Sequence, residues 1–298
     1  MALKKKTRPR VIAIVGPTAS GKSDLAVLLA QKIGGEVISA DSRQVYKGLD
    51  IGTGKITKRE MRGVPHHLLD VTDPKKTYTV AQFTRDANKT ITNILDRSKA
   101  PIVCGGTGFY IDALLLGQTF PEVLPNKKLR NELQKQSTEK LFETLKKLDP
   151  ERAQTIDHHN KVRLIRAIEI VKSLGKVPKQ KNNVPYDVTW IGIKSEPEEL
   201  KKRIHDRLIS RMKKGMVTEA QRLHENRLSY KRMRELGLEY RYLADYLQNK
   251  ISKEKMIVQL EKAIVDYAKR QMTWFKRNKE IKWIEKNEIA KILNLIRL

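Results

Sequence analysis

The chain of 298 residues carries 61 Lys and Arg against 34 Asp and Glu, and its net charge of +27 favours nucleic acid as a partner over a basic surface that serves solvation alone. Its single cysteine, Cys104, excludes an intramolecular disulfide and a metal site built from cysteines, and it indicates a reducing compartment. Residues 1–10 form a basic arm without the apolar core of a secretory signal, and no apolar stretch reaches membrane-spanning length, so we expect a cytoplasmic protein with no membrane partner.

The first 121 residues alternate between predicted strands and helices. Short apolar runs typical of buried strands lie at 11–15 (VIAIV), 36–40 (EVISA) and 101–104 (PIVC). The spacing of apolar side chains predicts helices over 24–33, 80–96 and 109–116. This order predicts an α/β fold in which helices flank both faces of a parallel sheet.

From residue 122 the pattern becomes helical and then returns to the sheet. Charged amphipathic stretches at 126–148 and 161–174, with no strand between them, predict an all-helical insertion domain over 122–186. Further strands are predicted at 189–193 and 281–284, and further helices at 197–214 and 253–277. Residues 1–121 and 187–298 would together form the α/β core domain.

The segment between the first strand and the first helix fits the P-loop pattern G-x-x-x-x-G-K-[ST] in its proper context. Its residues are Gly16, Pro17, Thr18, Ala19, Ser20, Gly21, Lys22 and Ser23. Loop amides, the helix N-terminus and the Lys22 ammonium can bind a diphosphate, and Ser23 can hold Mg²⁺. The motif specifies a phosphate chain, so ATP is only an assumption. The sequence contains no recognisable apolar strand that ends in a Walker-B aspartate, which disfavours an ATP-driven helicase or translocase. The predicted class is a P-loop-containing parallel sheet with an all-helical insertion.

Asp41 follows the second predicted strand, at the edge of a parallel sheet where ligands bind. Its carboxylate can act as a general base beside the phosphate loop, or it can cap the turn that follows. Ser42, Arg43 and Gln44 come next and can hydrogen-bond the edge of a nucleobase.

Five segments together resemble the tRNA dimethylallyltransferases, the bacterial isopentenyl-tRNA transferase family. They are GPTASGKS at 16–23, ISADSRQVYKGLDIGTGK at 38–55, VPHHLLDV at 64–71, GGTGFY at 105–110 and AKRQMTWFKRN at 268–278. The resemblance implies transfer of a dimethylallyl group from dimethylallyl diphosphate to N6 of the adenosine 3′ to the anticodon, in tRNAs for codons that begin with U. Diphosphate is released, and the anticodon stem-loop of tRNA is the implied partner.

The resemblance also implies catalytic roles for named residues. Asp41 would accept a proton from the N6 amine, which is a weak nucleophile because its lone pair is delocalised into the ring. Thr18 and Arg207 would join Lys22 and Ser23, with Mg²⁺ as cofactor, in binding the diphosphate on which charge builds. Arg211 is the alternative to Arg207, and a solvated basic face is the alternative for both.

Contacts to tRNA follow from the same resemblance, since the target adenine must be flipped out of its stack to reach a buried donor. The residues expected to make them are Asp41, Ser42, Arg43, Gln44, Thr107, Arg130, Arg163 and Arg166. Arg163 and Arg166 belong to a match to N-x-x-R-x-x-R-A-x-E at 160–169 and share one helical face, although ordinary surface arginines would look the same. Residues 234–240 depart from the Gly-Tyr-Lys-Glu typical of the family.

Some residues are assigned no chemistry. The histidine pairs at 66–67 and 158–159 predict no metal site, because adjacent side chains diverge and no third ligand is spaced to match. Trp274 and Phe275 are expected to pack in the core.

Two other interpretations of the whole chain stay open. A P-loop nucleoside or small-molecule kinase would share the loop and the sheet, but it predicts ATP binding and leaves the charge of +27 unexplained. A nucleic-acid binder with a purely structural loop would not require Asp41 beside that loop. A monomer is the default expectation.

Overall fold

The computed structural model describes residues 8–179, 183–285 and 288–296. The chain forms two compact units, of which one comprises Met1–Gly117 with Val184–Leu298 and the other is Gln118–Asn183. The insertion thus begins and ends a few residues before the positions expected from the sequence. Residues 1–7 of the basic arm lie outside the described residues.

The larger unit is built on a six-stranded sheet. Its strands are β1 Arg10–Val15, β2 Gly35–Ser39, β3 His66–His67, β4 Ala100–Gly105, β5 Asp187–Ile193 and β6 Lys282–Ile284. They lie in the order β3-β2-β4-β1-β5-β6, and every neighbouring pair is parallel. The predicted α/β class with a parallel sheet is confirmed.

The helices alternate with these strands and also form the insertion. In chain order they are α1 Lys22–Ile33, α2 Lys58–Met61, α3 Val80–Asp96, α4 Gly108–Leu115, α5 Lys127–Gln134, α6 Thr138–Leu148, α7 Pro150–Thr155, α8 Lys161–Leu174, α9 Pro197–Lys213, α10 Met216–Glu225, α11 Tyr230–Leu236, α12 Leu238–Leu247, α13 Lys253–Phe275 and α14 Ile289–Ile296. None of the described helices is both long and apolar enough to cross a membrane.

Alternate side chains of β1 enter cores on opposite faces of the sheet, as the two-residue period of a strand requires. Val11, Ala13 and Val15 pack in the core that contains the buried residues of α3 and α4. Ile12 and Ile14 pack in the core that contains those of α1 and α14. Because β1 is central and covered on both sides, its sequence is continuously apolar.

Helix α3 illustrates how local sequence sets an element. Thr79 caps it, since the Thr79 hydroxyl accepts a hydrogen bond from Gln82 N at 3.2 Å while the Gln82 side chain accepts one from Thr79 N at 2.9 Å. The side chains it buries recur at helical spacing, namely Phe83, Ala87, Ile91 and Ile94. Burying each of the three larger ones stabilises the fold by about 1.5–3 kcal/mol.

A third core lies among helices α9 to α13. It also buries Val45, Tyr46 and Leu49, which follow β2 along the chain. These three residues lie in the chain between Asp41 to Gln44 and the loop at 50–54. Their burial in the core therefore holds both of these segments in place. No element was predicted from the sequence between residues 215 and 252, where α10, α11 and α12 lie.

The smaller unit contains the helices α5 to α8, which pack around a core that includes Leu141, Leu145, Leu164 and Ile168. The stretch predicted at 126–148 forms two helices, because Ser137 caps a new helix by accepting a hydrogen bond from Lys140 N at 3.3 Å. Helix α7, which was not predicted, begins at Pro150 after the Asp149 cap.

Candidate active site

The P-loop connects β1 to α1 and turns at two glycines. Gly16 has φ of 144°, and a side chain there would place Cβ 3.2 Å from the Ile193 carbonyl oxygen. Gly21, directly before α1, has φ of 89°. Both backbone conformations favour glycine, so the motif spacing reflects what the turn requires.

Lys22 is the first residue of α1, and its ammonium bends back over the loop. Its Nζ donates a hydrogen bond to the Pro17 carbonyl oxygen and lies 3.5 Å from Ser20 Oγ. Although the residue is partly exposed, burial lowers the pKa of Lys22 to about 8; Cys104 and Asp41 act in the opposite direction, and Arg207 in the same direction. A bound anion would favour the charged ammonium and offset this cost.

A pocket of about 380 Å³ opens at the P-loop, within the size range of sites for small organic ligands. Loop residues Thr18 to Ser23 line it, and so do Asp41 and Gln44 from the end of β2, Gly105 and Gly106 from the end of β4, and Arg207 from α9. The structure therefore brings together the phosphate loop, the proposed base, the end of β4 and the proposed clamp arginine from four separate parts of the chain.

Asp41 fits both interpretations of its role. Its Oδ1 accepts hydrogen bonds from Arg43 N at 2.8 Å and from Gln44 N at 3.3 Å, which is a turn cap. Its Oδ2 accepts no hydrogen bond from residues 8–179, 183–285 or 288–296, and the residue lines the pocket. One oxygen therefore holds the turn and the other is available to a substrate.

Thr107 ties the ends of β2 and β4 together. Its hydroxyl accepts a hydrogen bond from Ser42 N at 3.0 Å and lies 3.3 Å from Ser42 Oγ, while its own amide donates to the Ala40 carbonyl oxygen at 3.2 Å. Tyr267 on α13 interacts with Thr107, and burial raises the pKa of Tyr267 to about 12. Thr107 and Ser42 thus form one polar edge next to Asp41.

Arg207 and Arg211 differ in what their guanidinium groups contact. Arg207 lines the pocket, and its Nη2 donates to the Gly54 carbonyl oxygen at 2.9 Å. Burial, followed by the neighbouring Arg211, lowers the pKa of Arg207. Arg211 is buried and donates instead to the Gly52 carbonyl oxygen at 2.6 Å and to Glu239 at 3.1 Å. This geometry favours Arg207 as the side chain that meets a bound anion.

The unusual segment at 234–240 supports the loop at 50–54. Glu219 accepts hydrogen bonds from three successive amides of that loop, Asp50 N at 2.9 Å, Ile51 N at 2.7 Å and Gly52 N at 2.9 Å. The Tyr240 hydroxyl donates to the same carboxylate at 2.7 Å. Tyr240 and Glu219 were missed by the sequence analysis, since no local motif marks their contact with this loop.

The three arginines of the insertion are not equivalent. Arg130 donates two hydrogen bonds to the buried Glu169, at 2.9 and 2.7 Å. Arg166 also pairs with Glu169 and donates to the Val123 carbonyl oxygen at 3.0 Å. Arg163 is the most exposed of the three at 57% of its side chain, and its ion-pair partner among the described residues is Asp157, at 3.8 Å. Arg130 and Arg166 therefore have structural partners within the insertion, and their contacts to tRNA stay predictions.

The remaining singled-out residues have structural surroundings. His67 Nε2 lies 2.7 Å from the buried Glu36, and the described residues contain no group of three His, Cys, Asp or Glu able to hold a metal ion. The prediction for Trp274 and Phe275 is confirmed, because Phe275 is buried and Trp274 packs against the same core. Trp274 Nε1 also donates to Asp112 at 2.9 Å.

The fold and the pocket define a P-loop-type α/β enzyme in which a phosphate-binding loop faces a carboxylate and a partly buried arginine. Residues 44–278 match the model of the IPP transferase family, and the chain belongs to that family. It is similar to the tRNA dimethylallyltransferase of Pelotomaculum thermopropionicum, with 38% identity over 97% of this chain and 95% of the relative.

Two solved structures resemble the chain over most of its length. The tRNA isopentenylpyrophosphate transferase of Bacillus halodurans is 36% identical, with a TM-score of 0.73 over 97% of this chain and 96% of that one. A eukaryotic dimethylallyltransferase, in a structure described as acting on tRNA, is 29% identical, with a TM-score of 0.82 over 96% of this chain and 76% of that one. The comparisons therefore agree with the resemblance found in the motifs.

Proposed function

We propose that this enzyme transfers the dimethylallyl group of dimethylallyl diphosphate to N6 of the adenosine on the 3′ side of the tRNA anticodon. The names of its relatives support prenyl transfer and tRNA as the substrate. The motif resemblance supplies the donor, the position of the adenosine and the preference for tRNAs of codons that begin with U. The observation that carries the proposal is that Asp41 lines the same pocket as Lys22 and Arg207.

The acceptor half of the reaction falls to Asp41. The N6 nitrogen attacks the first carbon of the dimethylallyl group, a C–N bond forms and the bond from that carbon to the diphosphate oxygen breaks. The proton lost from N6 goes to Asp41 Oδ2, the oxygen that the turn does not use. Relieving the amine of this proton prevents charge from building on a nitrogen whose lone pair is poorly available.

The donor half falls to the P-loop and α9. Loop amides, Lys22 and Arg207 stabilise the charge that develops on the leaving diphosphate, and Thr18 lines the same part of the pocket. Arg207 is held in place by the Gly54 carbonyl oxygen, so its positive charge is positioned before the ligand arrives. Such fixed charges require little rearrangement in the transition state.

The residues present fit a magnesium ion shared with the diphosphate. Ser23 lines the pocket beside Lys22, and its hydroxyl oxygen would hold the ion, while Asp41 Oδ2 is left to accept the proton. Mg²⁺ prefers oxygen ligands and usually takes only one or two from the protein, the rest being phosphate oxygens and water. When bound, Mg²⁺ would neutralise part of the diphosphate charge.

Binding of tRNA is proposed to use the edge formed by Asp41, Ser42, Arg43, Gln44 and Thr107. These residues follow β2 and β4, next to the pocket, where a flipped-out adenine has to arrive. The net charge of +27 supports phosphate contacts elsewhere on the surface, with Arg130, Arg163 and Arg166 of the insertion among the candidates. We further propose that the chain acts as a monomer and that it acts in the cytoplasm. Sedimentation of the purified protein would test the monomeric state.

One assay separates this function from a P-loop kinase, the alternative that the relatives do not favour. The protein is incubated with unmodified tRNA, Mg²⁺ and labelled dimethylallyl diphosphate, and in parallel with ATP labelled at its terminal phosphate. We expect label to enter tRNA from the prenyl donor alone and to be found on N6-isopentenyladenosine after digestion. Transfer of label from ATP only, to tRNA or to a nucleoside, would overturn the proposal.

A further inference from the structure

Gln271 is a buried polar side chain on α13 that contacts two segments of the candidate active site. Its Oε1 accepts a hydrogen bond from the Thr18 amide at 2.8 Å. Its Nε2 donates to the Gly106 carbonyl oxygen at 2.8 Å. Thr18 belongs to the P-loop, and Gly106 immediately precedes Thr107 at the end of β4, so a single carboxamide joins the two segments.

Both groups that Gln271 contacts are backbone groups, which cannot be replaced by a change of side chain. The Thr18 amide is committed to Gln271, so an anion in the P-loop is left to the other loop amides. A carboxamide is suited to this position because it presents an acceptor and a donor on one rigid plane. An ionised acid can only accept and an ammonium can only donate, whereas a hydroxyl carries both functions on one oxygen and cannot reach two separate backbone groups as a carboxamide does.

The space around Gly106 shows how closely Gln271 is fitted. A Cβ atom on Gly106 would lie 2.2 Å from Gln271 Nε2. Tyr267, one turn earlier on α13, interacts with Thr107. One face of α13 therefore contacts the P-loop at Thr18 and the β4 end at Gly106 and Thr107.

We propose that Gln271 is a positioning residue that sets the separation between the segment that binds the diphosphate and the segment that meets the adenosine. The inference rests on the proposed function. In the proposed reaction, N6 has to approach the reacting carbon from the side opposite to the bond that breaks. A misplacement of the reacting groups by about 1 Å can lower a rate about 100-fold. Gln271 acts through Thr18 and Gly106, whose loops hold the two substrates.

The first test uses Gln271→Met and Gln271→Glu. Methionine removes both hydrogen bonds at similar volume, and glutamate replaces the donor to Gly106 by an oxygen. We expect kcat for prenyl transfer to fall about 10-fold to 100-fold in both variants. In Gln271→Met the KM for dimethylallyl diphosphate and the Kd of inorganic pyrophosphate, measured by calorimetry, should change little, because the remaining loop amides and Lys22 still bind the phosphates. In Gln271→Glu both should rise, since the new carboxylate lies in the pocket that holds the anion.

Matched controls are Gln259→Met and Gln259→Glu. Gln259 lies on the same helix, is partly exposed and has no side-chain hydrogen bond among the described residues, so these variants should keep wild-type kcat. All rates are measured well below the Tm of each variant. A loss of pyrophosphate binding in Gln271→Met equal to its loss of kcat would overturn the inference, because it would assign Gln271 to the phosphate site alone.

The second test is a double-mutant cycle with Gly106→Ala. Alone, this variant should lower kcat, because the new methyl group displaces the Gln271 amide. In a Gln271→Ala background the space is already vacated, so the same change should have little further effect. Independent, multiplying effects of the two substitutions would overturn the coupling.

The outcomes distinguish this inference from the function on which it rests. A wild-type protein that transfers no prenyl group to tRNA would overturn both. A wild-type protein that is active, with Gln271 variants that keep its kcat, would overturn only the positioning role.

Discussion

Replacing Asp41 by asparagine separates the two tasks that this side chain combines. Asp41 Oδ1 accepts hydrogen bonds from Arg43 N at 2.8 Å and Gln44 N at 3.3 Å, and the carbonyl oxygen of an asparagine can accept the same two. The other oxygen becomes an amide NH₂, which cannot accept a proton from N6. The variant therefore keeps the turn and loses the base.

We expect Asp41→Asn to lower the rate of a single turnover about 100-fold to 10,000-fold, which is the usual contribution of a general base and corresponds to about 3–5 kcal/mol of activation free energy. Asp41→Ala should lose the same amount and in addition lower the free energy of unfolding by about 1 kcal/mol, because two turn amides lose their acceptor. Mixing enzyme and labelled donor with limiting tRNA measures the rate, and filter binding checks that tRNA affinity is retained.

A single-turnover rate for Asp41→Asn close to that of the wild type would refute the base role. A loss confined to Asp41→Ala would instead show that the carboxylate acts only by holding the turn. Urea unfolding of both variants supplies the control, because only the alanine variant should be less stable.

Three further predictions concern the arginines and a buried carboxylate. Arg207→Ala should raise the KM for dimethylallyl diphosphate about tenfold or more, whereas Arg211→Ala should mainly lower the Tm, because it leaves Glu239 and the Gly52 carbonyl without their partner. Arg163→Ala should weaken tRNA binding and reduce the slope of log Kd against log salt by about 1; an unchanged slope would remove Arg163 from the phosphate contacts. The Arg97 hydrogen bond, acting against burial, lowers the pKa of Glu36 from 4.5 to about 2. The contribution of Glu36 to the stability of the fold is therefore complete above its pKa in the unfolded chain, and it is lost as the pH falls from about 5 to about 2. The shift corresponds to about 3 kcal/mol, which we reduce to about 2 kcal/mol because Arg97 is half-exposed and solvent screens the pair. Urea unfolding of Glu36→Gln should show this loss of unfolding free energy near neutral pH, and the stability of the variant should fall less steeply than that of the wild type as the pH is lowered. Equal slopes of stability against pH in the acid range would contradict the prediction.

The predicted parts of the fold are those in which the residues of an element themselves indicate which faces are buried and where the element begins. β1 is apolar throughout because both of its faces are covered, and α3 carries its own cap and its own apolar stripe. β3 could not be predicted, since it consists of two histidines that pair with Val37 and Ile38 at the edge of the sheet. Its register depends on those partners and on no apolar run of its own.

The candidate site divides in the same way. Motif spacing was sufficient to select the P-loop, and the position after a strand was sufficient to make Asp41 a candidate, because both features are contained in a few successive residues. Only the resemblance to a family favoured a base over a turn cap. Gln271 lies 253 residues from Thr18, and Glu219 lies 169 residues from Asp50, so only the packing of α10 and α13 reveals these contacts. The sequence could not decide between Arg207 and Arg211 either, because they lie one helical turn apart and their different partners, Gly54 for Arg207 and Gly52 with Glu239 for Arg211, are visible only in the structure.

The distribution of charge connects the pocket to the rest of the molecule. The pocket is lined by three cations, Lys22, Arg203 and Arg207, and by three carboxylates, Asp24, Asp41 and Glu60, so the net charge of +27 lies almost entirely outside it. A diphosphate therefore enters a site that does not by itself neutralise the ligand even with Lys22 protonated, and a divalent cation would supply the missing positive charge. The excess positive charge on the rest of the surface attracts a polyanion over long distances, and dissolved salt weakens this attraction. Raising the salt concentration should therefore weaken tRNA binding much more than binding of the prenyl donor, since only the first depends on the surface as a whole.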